Sequence, residues 1–87
     1  MELIIGIDEL IEKLKIYPIP AVDFIKLESP YAGEIQVSVC NLQGRQLIKP
    51  QVFIGQHQLQ LGKLPAGQYL LMLEMDGKQY SKGFVKR

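Results

Sequence analysis

His57 and Cys40 are the side chains best suited to metal or nucleophilic chemistry, and each is the sole representative of its type in the 87-residue chain. A zinc or copper site built on histidine and thiolate recruits three or four ligands, so one of each has no matching partner set. A nucleophilic thiol needs a neighbouring base or cation to hold it as thiolate. Cys40 follows Val39 in an alternating apolar run with no basic pocket in view, and a structural thiol is the reading it supports. His57 sits among Gln56, Gln58 and Gln60 and is expected on the polar face of its segment. Of the carboxylates (Glu2, Asp8, Glu9, Glu12, Asp23, Glu28, Glu34, Glu74 and Asp76), several lie in the N-terminal linker or at turns, and nothing marks a general acid–base pair. Gly44, Gly67 and Gly77 are isolated in turns and form no phosphate-cradling loop. Tyr17, Tyr31, Tyr69 and Tyr80 are of a kind that stacks on sugars or bases, but in alternating strands their first use is packing. No cofactor or metal is expected.

The elements that carry these residues are short and alternating. Lys15 to Tyr17 is a strand that ends at Pro18-Ile19-Pro20, where two prolines remove two backbone donors; that segment is expected to be extended, at an edge or crossing between sheets. Val22 to Glu28 is a second strand. From Glu34 to Leu42, Ile35, Val37 and Val39 alternate with Gln36, Ser38 and Cys40, as in an interior strand with one face in a core. Asn41 to Gly44 makes a turn, with Gly44 free to take positive φ, and Arg45 is placed to pin it by a charge-assisted bond. Arg45 to Phe53 returns, and Pro50 within it implies a bulge or an edge. His57 to Leu61 alternates again. After the turn Lys63 to Gly67, the run Gln68 to Met75 is the most apolar, with Tyr69, Leu71, Leu73 and Met75 on one face. Asp76-Gly77 is a strong hairpin signal, and Lys78 to Lys86 closes the domain.

Seven short strands with turn signals about every 8 to 12 residues predict an all-β, antiparallel, immunoglobulin-like sandwich. Residues 14–87 form this domain. Residues 1–13 form a linker in which Asp8 to Leu14 has the spacing of a short helical turn. A net charge of +1 gives no electrostatic case for nucleic acid. Basic residues gather late, at Lys78, Lys82, Lys86 and Arg87, where they read first as a solvated edge strand guarded by lysines. With one cysteine there is no intrachain disulfide. No run approaches the roughly 20 apolar residues of a membrane helix. Met1 to Gly6 lacks the basic start and cleavage site of a signal peptide. That leaves two readings: a cytoplasmic protein, or a piece of a longer exported chain.

The order of the punctuating residues resembles a known family, the C-terminal sorting domains of proteins exported by the type IX secretion system of Bacteroidetes. Four blocks carry the resemblance, which runs from about Gly6 to Arg87. The first contains Tyr17, Pro18, Pro20 and Ala21, with Ile19 where the family has asparagine. The second runs from Val37 to Gly44 and Arg45. The third, Leu64-Pro65-Ala66-Gly67-Gln68-Tyr69, is similar to the family's Leu-Pro-x-Gly-x-Tyr pattern. The last runs from Gly77 through Lys82, Phe84, Val85 and Lys86 to Arg87. The resemblance implies a non-catalytic secretion signal that directs an N-terminal passenger through the periplasm and across the outer membrane, for secretion or surface display. It implies two partners, the secretion machinery and a sortase-like peptidase, with cleavage in the linker between Gly6 and Lys13. It also gives the basic tail a specific role as a signal. The competing expectation is an immunoglobulin-like accessory module that binds carbohydrate or protein, for instance through Tyr31 or Tyr80.

Overall fold

The computed structural model describes residues 13–87, which form seven strands: β1 Lys15–Tyr17, β2 Phe24–Glu28, β3 Ile35–Cys40, β4 Gln46–Phe53, β5 Gln56–Gln60, β6 Gly67–Met75 and β7 Lys78–Lys86. The expected helical turn over Asp8 to Leu14 falls almost entirely outside these residues. The strands make a three-stranded sheet, ordered β1-β2-β5, and a four-stranded sheet, ordered β4-β3-β6-β7. Every strand pair is antiparallel. The expected sandwich is therefore present, divided three against four, with β4 paired beside β3.

Alternation dictates the layering. Ile25 and Leu27 of β2, Leu59 of β5, Ile35, Val37 and Val39 of β3, and Tyr69, Leu71, Leu73 and Met75 of β6 are all buried and form one core cluster. They are odd-numbered positions along their strands, so a period of two sends all of them to the space between the sheets. Polar neighbours at even positions, such as Gln36, Ser38, Gln56 and Gln58, fall outside it. β6 lies between β3 and β7 and contributes four of the buried side chains. Its other face, Leu70 and Met72, is half-buried rather than covered.

Turn chemistry sets the two hairpins. Asp76 and Gly77 both take positive φ, 50° and 74°, the pair of values that a two-residue type I′ turn requires. That turn matches the right-handed twist of β6 and β7, whose nine residue pairs keep a single register from Met75↔Lys78 to Gly67↔Lys86. The β3–β4 hairpin is less regular. β4 is an edge strand, and its pairing with β3 shifts register between Val37 and Val39 and again between Val39 and Cys40. Pro50 cannot donate to a ladder, and both the edge position and the irregular pairing accommodate it.

Two expectations fail here. Pro18-Ile19-Pro20 is a bend and not an extended run, and its Tyr17–Pro18 and Ile19–Pro20 peptide bonds are cis; the segment nevertheless crosses from one sheet toward the other. His57 is not on the polar face. It shares parity with the buried Leu59, is half-buried, and stacks on Phe53 with ring centroids 5.2 Å apart and 15° between planes. Its Nε2 lies 2.7 Å from Gln51 Oε1. The tight β4–β5 connection places Phe53 beside His57 at the open end of the core, which sequence alternation alone does not reveal.

Leu71 is fully buried at the centre of β6. Leu71→Ala should lower unfolding free energy by about 2–5 kcal/mol. Urea titration followed by far-UV circular dichroism measures it.

Candidate functional site

The first block begins at the core and ends on the opposite sheet. Leu14 is buried, and β1 then pairs with β2 through Ile16↔Leu27. Tyr17 points outward from the three-stranded sheet, where its hydroxyl donates to Glu28 Oε1 at 2.7 Å. That bond holds the Tyr17 phenol above its ordinary value of 10.0, with smaller contributions from desolvation and from the Glu28 charge. After the two cis prolines the chain reaches Ala21, which is fully buried and forms a parallel bridge to Lys86 of β7. The Ala21 amide donates to the Val85 carbonyl at 2.9 Å, and the Ala21 carbonyl accepts from the Arg87 amide at 2.8 Å. The first block is thereby hydrogen-bonded to the last.

The second block is a turn built on a carboxamide. Asn41 Oδ1 accepts from the backbone amides of Gln43 at 3.0 Å and Arg45 at 2.9 Å. The Asn41 amide in turn donates to the Arg45 carbonyl, and Gly44 takes φ of 88°. A short polar side chain that mimics a backbone acceptor in this way is the usual device of an Asx-type turn. The expectation that the Arg45 side chain pins the turn is therefore corrected: Asn41 does so, and Arg45 is exposed.

The third block is a tyrosine corner. The Tyr69 hydroxyl donates to the Pro65 carbonyl four residues back, the arrangement by which immunoglobulin-type sandwiches fix the approach to a central strand. Leu64 packs on the core from the turn, and Gly67 opens β6 opposite Lys86. The Tyr69 ring also lies 5.8 Å from that of Phe84 across the β6–β7 ladder. The Leu-Pro-x-Gly-x-Tyr spacing thus has a local mechanical reason, and it ties the third block to the fourth.

In the fourth block the basic residues have unlike surroundings. Lys82 and Arg87 are exposed, whereas Lys86 is 8% exposed, with Nζ 3.4 Å from the Arg87 carbonyl oxygen. The reading of the tail as uniformly solvated is corrected for Lys86, which is buried at the position where the Ala21 backbone pairs with β7. Gly77 lies at the opposite end of β7 and takes no part in this cluster.

All four blocks meet at one end of the sandwich. Ile19 from the first, Leu42 from the second, Gln68 and Tyr69 from the third, and Gly83, Phe84 and Val85 from the fourth line a shallow groove of about 250 Å³. Its rim is apolar and open to solvent: Ile19, Leu42 and Val85 are 55%, 56% and 40% exposed. Three such side chains converging from distant segments make a contiguous apolar surface, the kind that marks a protein interaction site. Chemistry is not assembled there. Among the described residues no three or more His, Cys, Asp or Glu side chains gather, and Cys40 is a buried free thiol. Tyr31 and Tyr80 pack against the core, so they do not form the aromatic platform that the accessory-module reading requires.

The family model for the secretion system C-terminal sorting domain matches residues 15–87, the whole of the sandwich. The chain belongs to that family. Comparison with curated proteins found no match. The sorting domain is a non-catalytic signal of the type IX secretion system, and its partner is the secretion machinery. Cargo of that system is secreted across the outer membrane or displayed at the cell surface. Of the residues that the motifs single out, Pro18 and Pro20 shape the bend, Leu64, Pro65, Gly67 and Tyr69 build the corner, and Phe84 and Val85 face the groove. Tyr17 stands apart on the outer sheet face. Ala21 and Leu42 lie inside the first and second blocks but were not singled out as site residues, because their importance comes from long-range partners.

Two outcomes follow from this geometry. Tyr69→Phe should cost about 1 kcal/mol, the worth of one hydrogen bond, in urea unfolding. Glu28→Gln should bring the Tyr17 phenol back down toward 10.0. In the unaltered domain the neutral phenol is the donor, so the bond is complete below pH 10 and is lost as pH rises through the raised value. The ¹³Cζ shift of Tyr17 followed against pH reads both.

Proposed function

We propose that the sorting domain is read as a folded epitope at the end where its four motif blocks meet, and that its passenger is then released and attached by a sortase-like peptidase. In this reading Tyr17, Pro18, Pro20, Gly44, Arg45, Leu64, Pro65, Gly67 and Tyr69 act as fold determinants that present the surface. Gly77 sets the register of β7. The machinery contacts Ile19, Leu42 and Val85, which rest on the buried Phe84, together with the exposed charges of Lys82 and Arg87 beside them. The domain acts in the periplasm, on the way to the outer surface. Residues 1–13 link it to an N-terminal passenger and carry the cleavage point between Gly6 and Lys13.

The observation that supports this reading most directly is the shared groove. Segments that are far apart in the chain, and that carry the motif blocks, line one solvent-open apolar surface. Single exposed apolar side chains are ordinary, but Ile19, Leu42 and Val85 are exposed around one shared groove, which makes a patch. Ile19 also replaces the family asparagine at an exposed position, where a change of residue alters the surface without altering the core.

A fluorescent passenger carrying a signal peptide and followed by residues 1–87 tests the reading in a host with an active type IX system. The passenger should reach the cell surface or the medium; retention in the periplasm, while a known sorting domain exports it, sinks the proposal. Leu42→Asp combined with Val85→Asp should leave the domain folded, since exposed substitutions change stability by about 0.5 kcal/mol or less each, and should reduce export by about tenfold or more, equivalent to about 1.4 kcal/mol of lost binding.

A further inference from the structure

We propose that the outer edge of β7, from Gln79 to Gly83, is a docking site for an extended acidic segment of the secretion machinery, which joins the four-stranded sheet as an additional strand. This rests on the sorting reading for the identity of the partner, and on geometry for the mode of binding.

Among the described residues β7 is the last strand of its sheet. Its pairing with β6 keeps one register over all nine pairs, with no bulge, so backbone hydrogen-bonding groups alternate strictly between the β6 side and the outer side. The Ala21 bridge establishes the parity. The Val85 carbonyl and the Arg87 amide both bond to Ala21, on the side away from β6. Gln79, Ser81 and Gly83 share that parity and direct their amides and carbonyls outward. No described residue pairs with those groups. The Ala21 contact also shows that this edge accepts a neighbouring chain at its C-terminal end, leaving the upstream stretch as a ready template for strand addition.

Charge selects what can add. Lys78 and Lys82 are exposed and lie on the same face of β7 as Phe84. Lysines on an edge discourage pairing with a like strand, and a second copy would set one row of lysines against another. A strand bearing carboxylates at alternate positions meets the same lysines as partners. The domain as a whole reinforces this choice: residues 13–87 hold all ten Lys and Arg but only Asp23, Glu28, Glu34, Glu74 and Asp76 of the nine carboxylates. Gly83, without a side chain, and Ser81, with a small one, leave the outer face beside the edge uncrowded.

The test uses the full ¹⁵N-labelled chain and a capped peptide of alternating Glu and Val, about eight residues long, with a Lys-for-Glu peptide as control. The acidic peptide should slow amide exchange at Gln79, Ser81 and Gly83 by about tenfold or more, and leave Lys82, already bonded to β6, unchanged. The basic peptide should do nothing. Ser81→Pro removes one outward donor without touching the β6 ladder, and should abolish both the protection and export of the fluorescent passenger. Lys78→Glu with Lys82→Glu should reverse the preference between the two peptides, which keeps the test decisive if the proline variant does not fold. The proposal is overturned by any of four results. These are no protection with the acidic peptide, equal protection with the basic one, protection already present in the free chain or growing with its concentration, or normal export by folded Ser81→Pro. Failure of the unaltered domain to export would instead strike the sorting reading, and the exchange result would stand apart from it.

Discussion

Ala21 donates to Val85 and accepts from Arg87, and most of what distinguishes this sandwich depends on that short parallel bridge. It joins the segment that leaves β1 to the end of β7, so each of the two sheets receives part of the N-terminal stretch. Lys86 is buried at this bridge, and Val85 is held where its side chain borders the apolar groove. A buried residue with no side chain beyond Cβ is what permits the approach: Ala21 has no exposed surface at all, and a longer side chain there would have to displace the core or the strand. Without the bridge, the last residues of β7 would rest on the ladder to β6 alone, and terminal strand residues fray readily when tied on one side only.

The rest of the fold can be understood as support for that junction. A domain of this size buries a limited share of its surface, and here the largest contribution comes from β6, whose alternate side chains all enter the core. Tyr69 is the link between core and junction. Its hydroxyl fixes the approach to β6 through Pro65, while its ring meets Phe84 of β7. Asn41 performs the corresponding task for the β3–β4 turn and so positions Leu42. Around the groove, Leu42 lies in the turn that Asn41 holds, and Gln68, Tyr69 and Gly83 to Val85 belong to the β6–β7 ladder, so most of its wall has a defined shape.

Much of this was legible from residue order. The alternation of Ile35, Val37 and Val39, and of Tyr69, Leu71, Leu73 and Met75, identified the two central strands and their buried faces, because a pleated strand has a fixed period of two. Asp76-Gly77 identified its hairpin because few residue pairs accept positive φ twice. Other features were misread for equally physical reasons. His57 looked polar among glutamines, but its environment is set by Phe53 on another strand. Arg45 looked like the natural clamp of its turn, yet the shorter Asn41 reaches the backbone with less conformational freedom to lose. Pro18-Ile19-Pro20 looked extended, and proline alone does not report which isomer of its peptide bond the surrounding structure selects.

The chain by itself determined the fold class, the strand boundaries to within a few residues and, through four ordered blocks, the family. These are local or short-period properties: side-chain alternation, turn geometry and motif spacing act within a few residues of one another. Packing alone decided that the four blocks meet, that Lys86 is covered while Lys82 is not, and that Ile19, Leu42 and Val85 share one surface. Those are contacts between segments distant in sequence, and a residue's own type does not encode which distant backbone will close against it. The sheet order and the Ala21 bridge supply that information, and with it they bring a series of turn and strand motifs together around one apolar groove.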